Sequence, residues 1–151
     1  MKFFTNGLGQ LIHKIESEEI KALVIYGPNQ GFISSSLSLI EKKLSLNSSN
    51  YCAKDLTADR LSMIANSRNF FAKREIIKIT DIPNTITKEM KDFLSKSDFY
   101  HFVCFIAQDS LPANGIRTFF EEQQHLAILA CYFDNEQTIS KIILEQCRNR
   151  H

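Results

Sequence analysis

Two glycines near the start of the chain lie between an apolar run and a helix-like pattern. Gly27 and Gly31 follow the run 22–26 and precede apolar residues at helical spacing: Ile33, Leu37, Ile40 and Leu44. Strand, loop and helix in this order are typical of a phosphate-binding loop, in which glycines let the backbone curl and amides at the helix N-terminus point at phosphates. The pattern therefore predicts the outline of a nucleotide-binding loop.

The charged groups of such a loop are missing from this sequence. The spacing from Gly27 to Gly31 is shorter than the motif requires, and Phe32 and Ile33 stand where a lysine and a metal-binding hydroxyl are expected. We interpret Gly27, Pro28 and Gly31 as a degenerate phosphate loop that is not expected to bind nucleotide. An ordinary tight turn, unrelated to nucleotide binding, is the alternative interpretation of the loop alone.

The acids that a nucleotide hydrolase needs are also incomplete. An Asp-Glu pair at the end of the strand 75–80 would hold magnesium and polarise water, but the sequence offers Asp81 alone between Thr80 and Ile82. A receiver domain would need clustered acids after the strand 22–26, and none stands there. We therefore predict no catalytic residue, no cofactor and no metal site.

Bulk composition favours one globular domain of a cytoplasmic protein. Of 151 residues, 44% are hydrophobic and 23% charged, and a net charge of +1 does not favour strong direct binding to DNA. No run is long enough to span a membrane, and no secretory signal is visible. The four cysteines are scattered, which predicts reduced core residues: Cys52, Cys104, Cys131 and Cys147.

Hydrophobic periodicity predicts helices alternating with five strands. The strands are expected at 22–26, 51–53, 75–80, 102–107 and 126–131, with the polar cluster 47–50 as a break. Helices are expected at 8–16 and 33–46, after the caps Thr57 and Thr87, from Pro112 and from Asp134. Connections of this length predict parallel pairing, hence a three-layer α/β sandwich with a five-stranded parallel sheet, similar to P-loop NTPases.

Several segments together resemble a known family. They are 23–33 (Leu-Val-Ile-Tyr-Gly-Pro-Asn-Gln-Gly-Phe-Ile), 69–79 (Asn-Phe-Phe-Ala-Lys-Arg-Glu-Ile-Ile-Lys-Ile), 102–107, 117–121 and 129–132. In order and spacing, from about residue 21 to 143, the chain resembles the N-terminal domain of the delta subunit of bacterial DNA polymerase III. That family has an AAA+-like fold with a degenerate phosphate loop.

The resemblance implies a role in DNA replication. It implies a subunit without intrinsic enzymatic activity, in a clamp loader of the DNA polymerase III holoenzyme, that binds and opens the β sliding clamp for loading onto primed DNA. Residues 1–145 would be the clamp-binding domain and 146–151 the start of a connection to a lid domain. Other clamp-loader subunits would bind through domains absent here, and DNA would bind only to the assembled complex. This fragment would be monomeric and would make no membrane contact.

The resemblance also implies where the clamp binds. The family's clamp-binding peptide falls on Asn66, Ser67, Arg68, Asn69, Phe70 and Phe71. Phe70 and Phe71 would be the anchors, and Asn66 stands where a glutamine is often found. Adjacent residues at a helix end point about 100° apart, so two phenylalanines cannot easily face one core, and an exposed apolar patch needs a partner. The alternative is that both pack under the strand 75–80.

Two other function classes stay open at this stage. One is a small nucleotide-dependent α/β enzyme with an unconventional loop, and the other is a flavodoxin-like interaction module. Magnesium-dependent affinity for ATP would favour the enzyme, and flavin absorbance would favour the module.

Overall fold

Six parallel strands form one sheet at the centre of the fold. The computed structural model describes residues 1–67, 74–82, 85–96, 99–107 and 115–132. Its strands are β1 (Lys2–Phe4), β2 (Ala22–Tyr26), β3 (Asn47–Cys52), β4 (Glu75–Thr80), β5 (Phe102–Ile106) and β6 (Leu126–Ala130), in the order β1-β6-β2-β5-β4-β3. Every neighbouring pair is parallel. The predicted parallel α/β sheet is therefore confirmed, and the predicted count of five strands is wrong.

Helices cover both faces of this sheet. They are α1 (Leu8–Glu16), α2 (Gln30–Leu44), α3 (Ala58–Asn66), α4 (Lys88–Lys96) and α5 (Ile116–Glu122). Side chains of α1 and α2 join one apolar cluster, and those of α3, α4 and α5 join another. The described chain thus has three layers, with a core on each side of the sheet.

The central strands are apolar throughout because both of their faces are covered. All residues of β2, β5 and β6 are buried. Along β2, Val24 packs into the cluster under α3 to α5, whereas Leu23 packs into the cluster under α1 and α2. Continuous apolar runs of this kind are typical of parallel strands buried on both faces.

The strand that sequence reasoning missed is β1, at one edge of the sheet. It pairs with β6 over three residues, and only Phe3 turns inward while Lys2 and Phe4 are more exposed. Three residues are too few to display a period of two, so the hydrophobic pattern carried no signal for this strand.

Two further predicted boundaries differ from the structure, those of β3 at the opposite edge and of α2. Residues 47–50, which we expected to break the pattern, form most of β3 and pair with β4. Their polar side chains are largely exposed. This is compatible with an edge strand, because backbone hydrogen bonds to the neighbouring strand hold it in the sheet. In addition, α2 begins at Gln30 rather than residue 33, and it ends at Leu44, before Ser45 adopts a left-handed φ of 52°.

The remaining expectations divide between described and undescribed residues. Cys104 and Cys131 are free thiols in the core, as predicted, and Cys52 is half-buried. The helix expected from Pro112 is described from Ile116 onward. The helix expected from Asp134, Cys147 and the connection at 146–151 lie outside the described residues. No helix in the described part of the chain is long and apolar enough to cross a membrane.

Candidate functional site

The loop after β2 is packed directly against the end of β6. Gly27 has a φ of 135°, and a Cβ atom at this position would lie 2.1 Å from the Cys131 carbonyl oxygen. Only glycine tolerates both that conformation and that approach. The requirement for glycine at position 27 therefore comes from the chain's own backbone.

Hydrogen bonds extend the pairing of β2 and β6 into this loop. The Cys131 N–H donates to the Tyr26 carbonyl oxygen at 2.7 Å, and the Asn29 N–H donates to the Cys131 carbonyl oxygen at 3.1 Å. After β2 the backbone therefore continues alongside the end of β6, and the Asn29 N–H is already hydrogen-bonded within the chain.

Asn29 then closes the N-terminus of α2. Its side-chain Oδ1 accepts from the Phe32 N–H at 3.1 Å, and its carbonyl oxygen accepts from the Ile33 N–H at 3.1 Å. The Gln30 N–H donates to the Pro28 carbonyl oxygen at 3.1 Å, and proline has no N–H. The amides of residues 29, 30, 32 and 33 are therefore all engaged by groups of this chain.

The second glycine of the loop has no comparable structural demand. A Cβ atom at Gly31 would meet only Asn29 Oδ1, at 3.7 Å, which is an ordinary contact. Gly31 is an exposed residue in the first turn of α2. Phe32 and Ile33, which stand at the positions of the missing lysine and hydroxyl, are 6% and 3% exposed and belong to the core.

Tyr26, the last residue of β2, belongs to a polar cluster at the same carboxyl end of the strands. Its hydroxyl lies 3.3 Å from the Tyr132 hydroxyl, and the Arg117 guanidinium lies 5.4 Å from the Tyr26 ring centroid. Burial, with the Tyr132 hydrogen bond, raises the pKa of Tyr26 above its ordinary value. Arg117 Nε also donates to Glu121 Oε1 at 3.3 Å. The phenol therefore stays neutral, and the nearby cation already has a carboxylate partner.

The single acid predicted after β4 is placed at a turn. Asp81 has a φ of 55°, and its Oδ2 lies 3.6 Å from Cys52 Sγ, at the end of β3. Within the described ranges, no group of three or more histidines, cysteines and carboxylates could hold a metal ion.

The first two residues of the predicted clamp-binding peptide lie at the end of α3. Asn66 is the last residue of the helix, and Ser67 has extended backbone angles; both are exposed. Asn66 Nδ2 donates to the Ser62 carbonyl oxygen at 3.1 Å, and Ser67 Oγ donates to the Ile64 carbonyl oxygen at 3.0 Å. The other four residues of the peptide lie outside the described residues: Arg68, Asn69, Phe70 and Phe71.

A buried histidine that sequence reasoning did not single out joins Ser67, within this peptide, to Glu75 at the start of β4. His101 Nε2 lies 2.7 Å from the Ser67 carbonyl oxygen, and His101 Nδ1 accepts from the Glu75 N–H at 2.8 Å. These partners are distant from His101 in sequence, so no local pattern could have indicated the contact.

An apolar cavity of about 410 Å³ opens at the carboxyl ends of β4 and β5. Its described lining is mostly aliphatic, with Phe105 at the sheet and the carboxylates of Asp59 and Glu89 on α3 and α4. None of residues 27–31 is among these lining residues. Ligands of parallel α/β sheets bind at this end of the strands, but negative charge and apolar walls do not suit a triphosphate.

Comparison with known proteins finds similarity both to a curated relative in sequence and to solved structures in fold. No protein-family model matches the chain. A probable DNA polymerase III subunit delta from Rickettsia prowazekii is 37% identical over 144 residues, which cover 95% of this chain and 44% of the relative. The chain therefore spans a little under half the length of this curated relative.

Two solved structures share the fold. The Bacillus subtilis DNA clamp loader delta protein matches with a TM-score of 0.67 and 12% identity, over 95% of this chain and 48% of that chain. The Thermotoga maritima RuvB Holliday junction branch migration motor matches with a TM-score of 0.53 and 18% identity, over 90% of this chain and 46% of that one. At such low identities, these similarities establish only that the chains share a fold. The sequence match confirms the predicted resemblance: over 95% of its length, the chain is similar to a probable DNA polymerase III subunit delta.

Proposed function

We propose that this chain is the N-terminal, clamp-binding domain of a clamp-loader delta subunit. In this role it binds the ring-shaped β sliding clamp and helps to open it for loading onto primed DNA. The observation that carries the proposal is the 37% identity to a probable DNA polymerase III subunit delta across 95% of the chain. The similarity in fold to a clamp loader delta protein supports it.

The proposed contact is the peptide from Asn66 to Phe71, with Phe70 and Phe71 as apolar anchors. Its support is the exposed end of α3, where the helix stops at Asn66 and Ser67 has extended backbone angles. A phenylalanine inserted into a pocket of the clamp would contribute roughly 1.5–3 kcal/mol by the area it buries. The side-chain Nδ2 of Asn66 already donates a hydrogen bond to the Ser62 carbonyl oxygen of α3. We therefore assign most of the binding energy to the apolar anchors.

The domain is proposed to bind its partner without binding or hydrolysing nucleotide. The loop at Gly27, Pro28 and Gly31 would be a degenerate phosphate loop, since its amides at 29, 30, 32 and 33 are engaged within the chain. Burial of Phe32 and Ile33 supports the same conclusion, because both positions serve the core. Without a cationic side chain or a pair of acids, the transition state of phosphoryl transfer would lack its main electrostatic stabilisation.

We also propose how the domain is divided and through which parts it joins the assembly. Because the chain spans 44% of its curated relative, we propose that 1–145 is one functional unit and that 146–151 leads into a lid domain. The other clamp-loader subunits and the DNA would be contacted through the complete protein, in the bacterial cytoplasm. We propose that the 151-residue chain alone is a monomer.

The experiment that tests this proposal is direct complex formation. The purified chain is mixed with a bacterial β sliding clamp and analysed by size-exclusion chromatography with light scattering. We expect a shifted peak that contains both proteins, and the chain alone at the mass of a monomer. Separate elution at micromolar concentrations of both proteins would contradict the proposed function.

A further inference from the structure

The last turn of α3 is fixed to the chain just before β5. The backbone N–H groups of Tyr100 and His101 both donate to the Ala65 carbonyl oxygen, at 3.1 and 2.9 Å. His101 itself is 3% exposed. Its side chain is therefore held among the elements that surround the end of α3, with little freedom to rotate away.

Both nitrogens of the His101 ring are used by backbone groups. Nδ1 faces the Glu75 N–H at 2.8 Å and must accept, whereas Nε2 faces the Ser67 carbonyl oxygen at 2.7 Å and must donate. An imidazole that accepts at one nitrogen and donates at the other is neutral and carries its proton on Nε2. A single ring therefore connects the end of α3 to the start of β4.

The two residues joined in this way flank the connecting segment, which we define as residues 68–74. The second end of this segment has a further contact, since Arg74 Nη1 lies 3.8 Å from Glu18 Oε1. Holding the ends of a connection together removes part of the entropy that its residues would otherwise lose on binding. A connection whose flanking residues are fixed loses less entropy on binding, which favours affinity.

We propose that His101 is a positioning residue for clamp binding, which acts by joining Ser67 to Glu75 on either side of the connecting segment. The inference rests on the proposed function, because it concerns the peptide that would contact the clamp. His101 would not touch the clamp itself, and its effect would pass through the two backbone groups that it binds.

The test compares substitutions at two histidines in the 151-residue chain. In His101→Phe, the phenyl ring occupies the space of the imidazole but makes neither of its hydrogen bonds. We expect clamp affinity to fall about tenfold in this variant. The matched control is His125→Phe, because the His125 ring also binds a backbone carbonyl, that of Leu94 at 3.0 Å, but away from the connecting segment. Clamp affinity should be unchanged in the control, with circular dichroism and urea midpoints recorded for both.

Conservative substitutions separate positioning from general stability. His101→Asn offers an acceptor near the position of Nδ1, and His101→Gln offers a donor near that of Nε2, so each should restore part of the affinity lost in His101→Phe. Hydrogen exchange at the Glu75 amide provides a readout that does not need the clamp. It should be faster in His101→Phe than in the wild-type chain, and slowed again in His101→Asn.

The possible failures are distinguishable. Wild-type clamp affinity in a folded His101→Phe chain would overturn the inference, and so would an equal loss in His125→Phe. Unchanged exchange at Glu75 in His101→Phe would refute the connection itself, whatever the clamp does. If the wild-type chain does not bind the clamp, the proposed function fails, and the role of His101 in it fails as well.

Discussion

The Gly27 backbone lies so close to the Cys131 carbonyl group that a Cβ atom at position 27 would be 2.1 Å from its oxygen. Cys131 directly follows β6, and Gly27 directly follows β2, so the contact is a continuation of the pairing of these strands. In a working phosphate loop, glycine lets the backbone approach a ligand. Here the same residue type lets two strand ends of one chain approach each other.

Gly27→Ala should destabilise the fold by roughly 2–4 kcal/mol. Alanine disfavours the positive φ at this position, and its Cβ atom would also overlap the Cys131 carbonyl oxygen. The measurement is the free energy of unfolding in urea. Gly31→Ala is the matched control: the site has room for a methyl group and lies in a helix, so the change should stay within about 1 kcal/mol of wild type. Equal effects of the two substitutions would contradict this account of the loop.

Asn29→Ala should lower the free energy of unfolding by about 1 kcal/mol, because it removes the side-chain acceptor of the Phe32 N–H at the start of α2. Asn29→Asp retains an acceptor at the same position and should recover most of the loss. Thermal unfolding followed by circular dichroism measures both variants. No difference between alanine and aspartate would show that Asn29 does not act as a cap.

Stability should fall in alkaline solution over a defined range of pH. Burial raises the pKa of the Cys104 thiol, and that of Cys131, from 9.0 to about 12. Between these values the unfolded chain releases protons that the folded chain retains, so the free energy of unfolding decreases as pH rises from 9 toward 12. Well below pH 9, where the thiols are protonated in both states, they should contribute almost no pH dependence.

Urea midpoints measured at several pH values check this expectation. Cys104→Ala and Cys131→Ala should each reduce the steepness of the alkaline decline, even if they lower stability at every pH. Cys52→Ala serves as the control, because Cys52 is only half-buried. The same slope in all three variants would show that the core thiols do not govern the decline.

Labelled ATP should show no saturable binding to the chain, with or without magnesium. The physical reason is that the loop amides at 29, 30, 32 and 33 already have partners in the chain, and the lysine that would bind the phosphates is absent from the loop. Filter binding or fluorescence with a labelled nucleotide makes the measurement. Magnesium-dependent binding that Gly31→Ala weakens would favour the nucleotide-dependent enzyme instead.

The layers of the fold could be predicted because their signal is local. Apolar runs such as β5 and the helical spacing of α1 are visible within ten residues of sequence. The two edges could not be predicted in the same way. The side chains of β3 are mostly polar and exposed, and its place in the sheet depends on backbone pairing with β4, far along the chain.

The candidate site shows the same division. The missing lysine and the lone Asp81 are facts of composition and spacing, so sequence was sufficient to identify them. The direction that the loop takes is decided by Cys131, which is more than a hundred residues from Gly27 in the chain. The contacts of His101 with Ser67 and Glu75 likewise arise only when three distant segments meet.

The most direct test of clamp binding is a calorimetric titration of β sliding clamp into three forms of the chain. We predict that Phe70→Ala combined with Phe71→Ala weakens binding at least about a hundredfold, since two buried aromatic anchors are lost, without changing the circular dichroism spectrum. The control is Phe4→Ala, which removes a 48% exposed phenylalanine from β1 and should bind as the wild-type chain does. Undiminished clamp affinity in the double variant would contradict the assignment of the clamp contact.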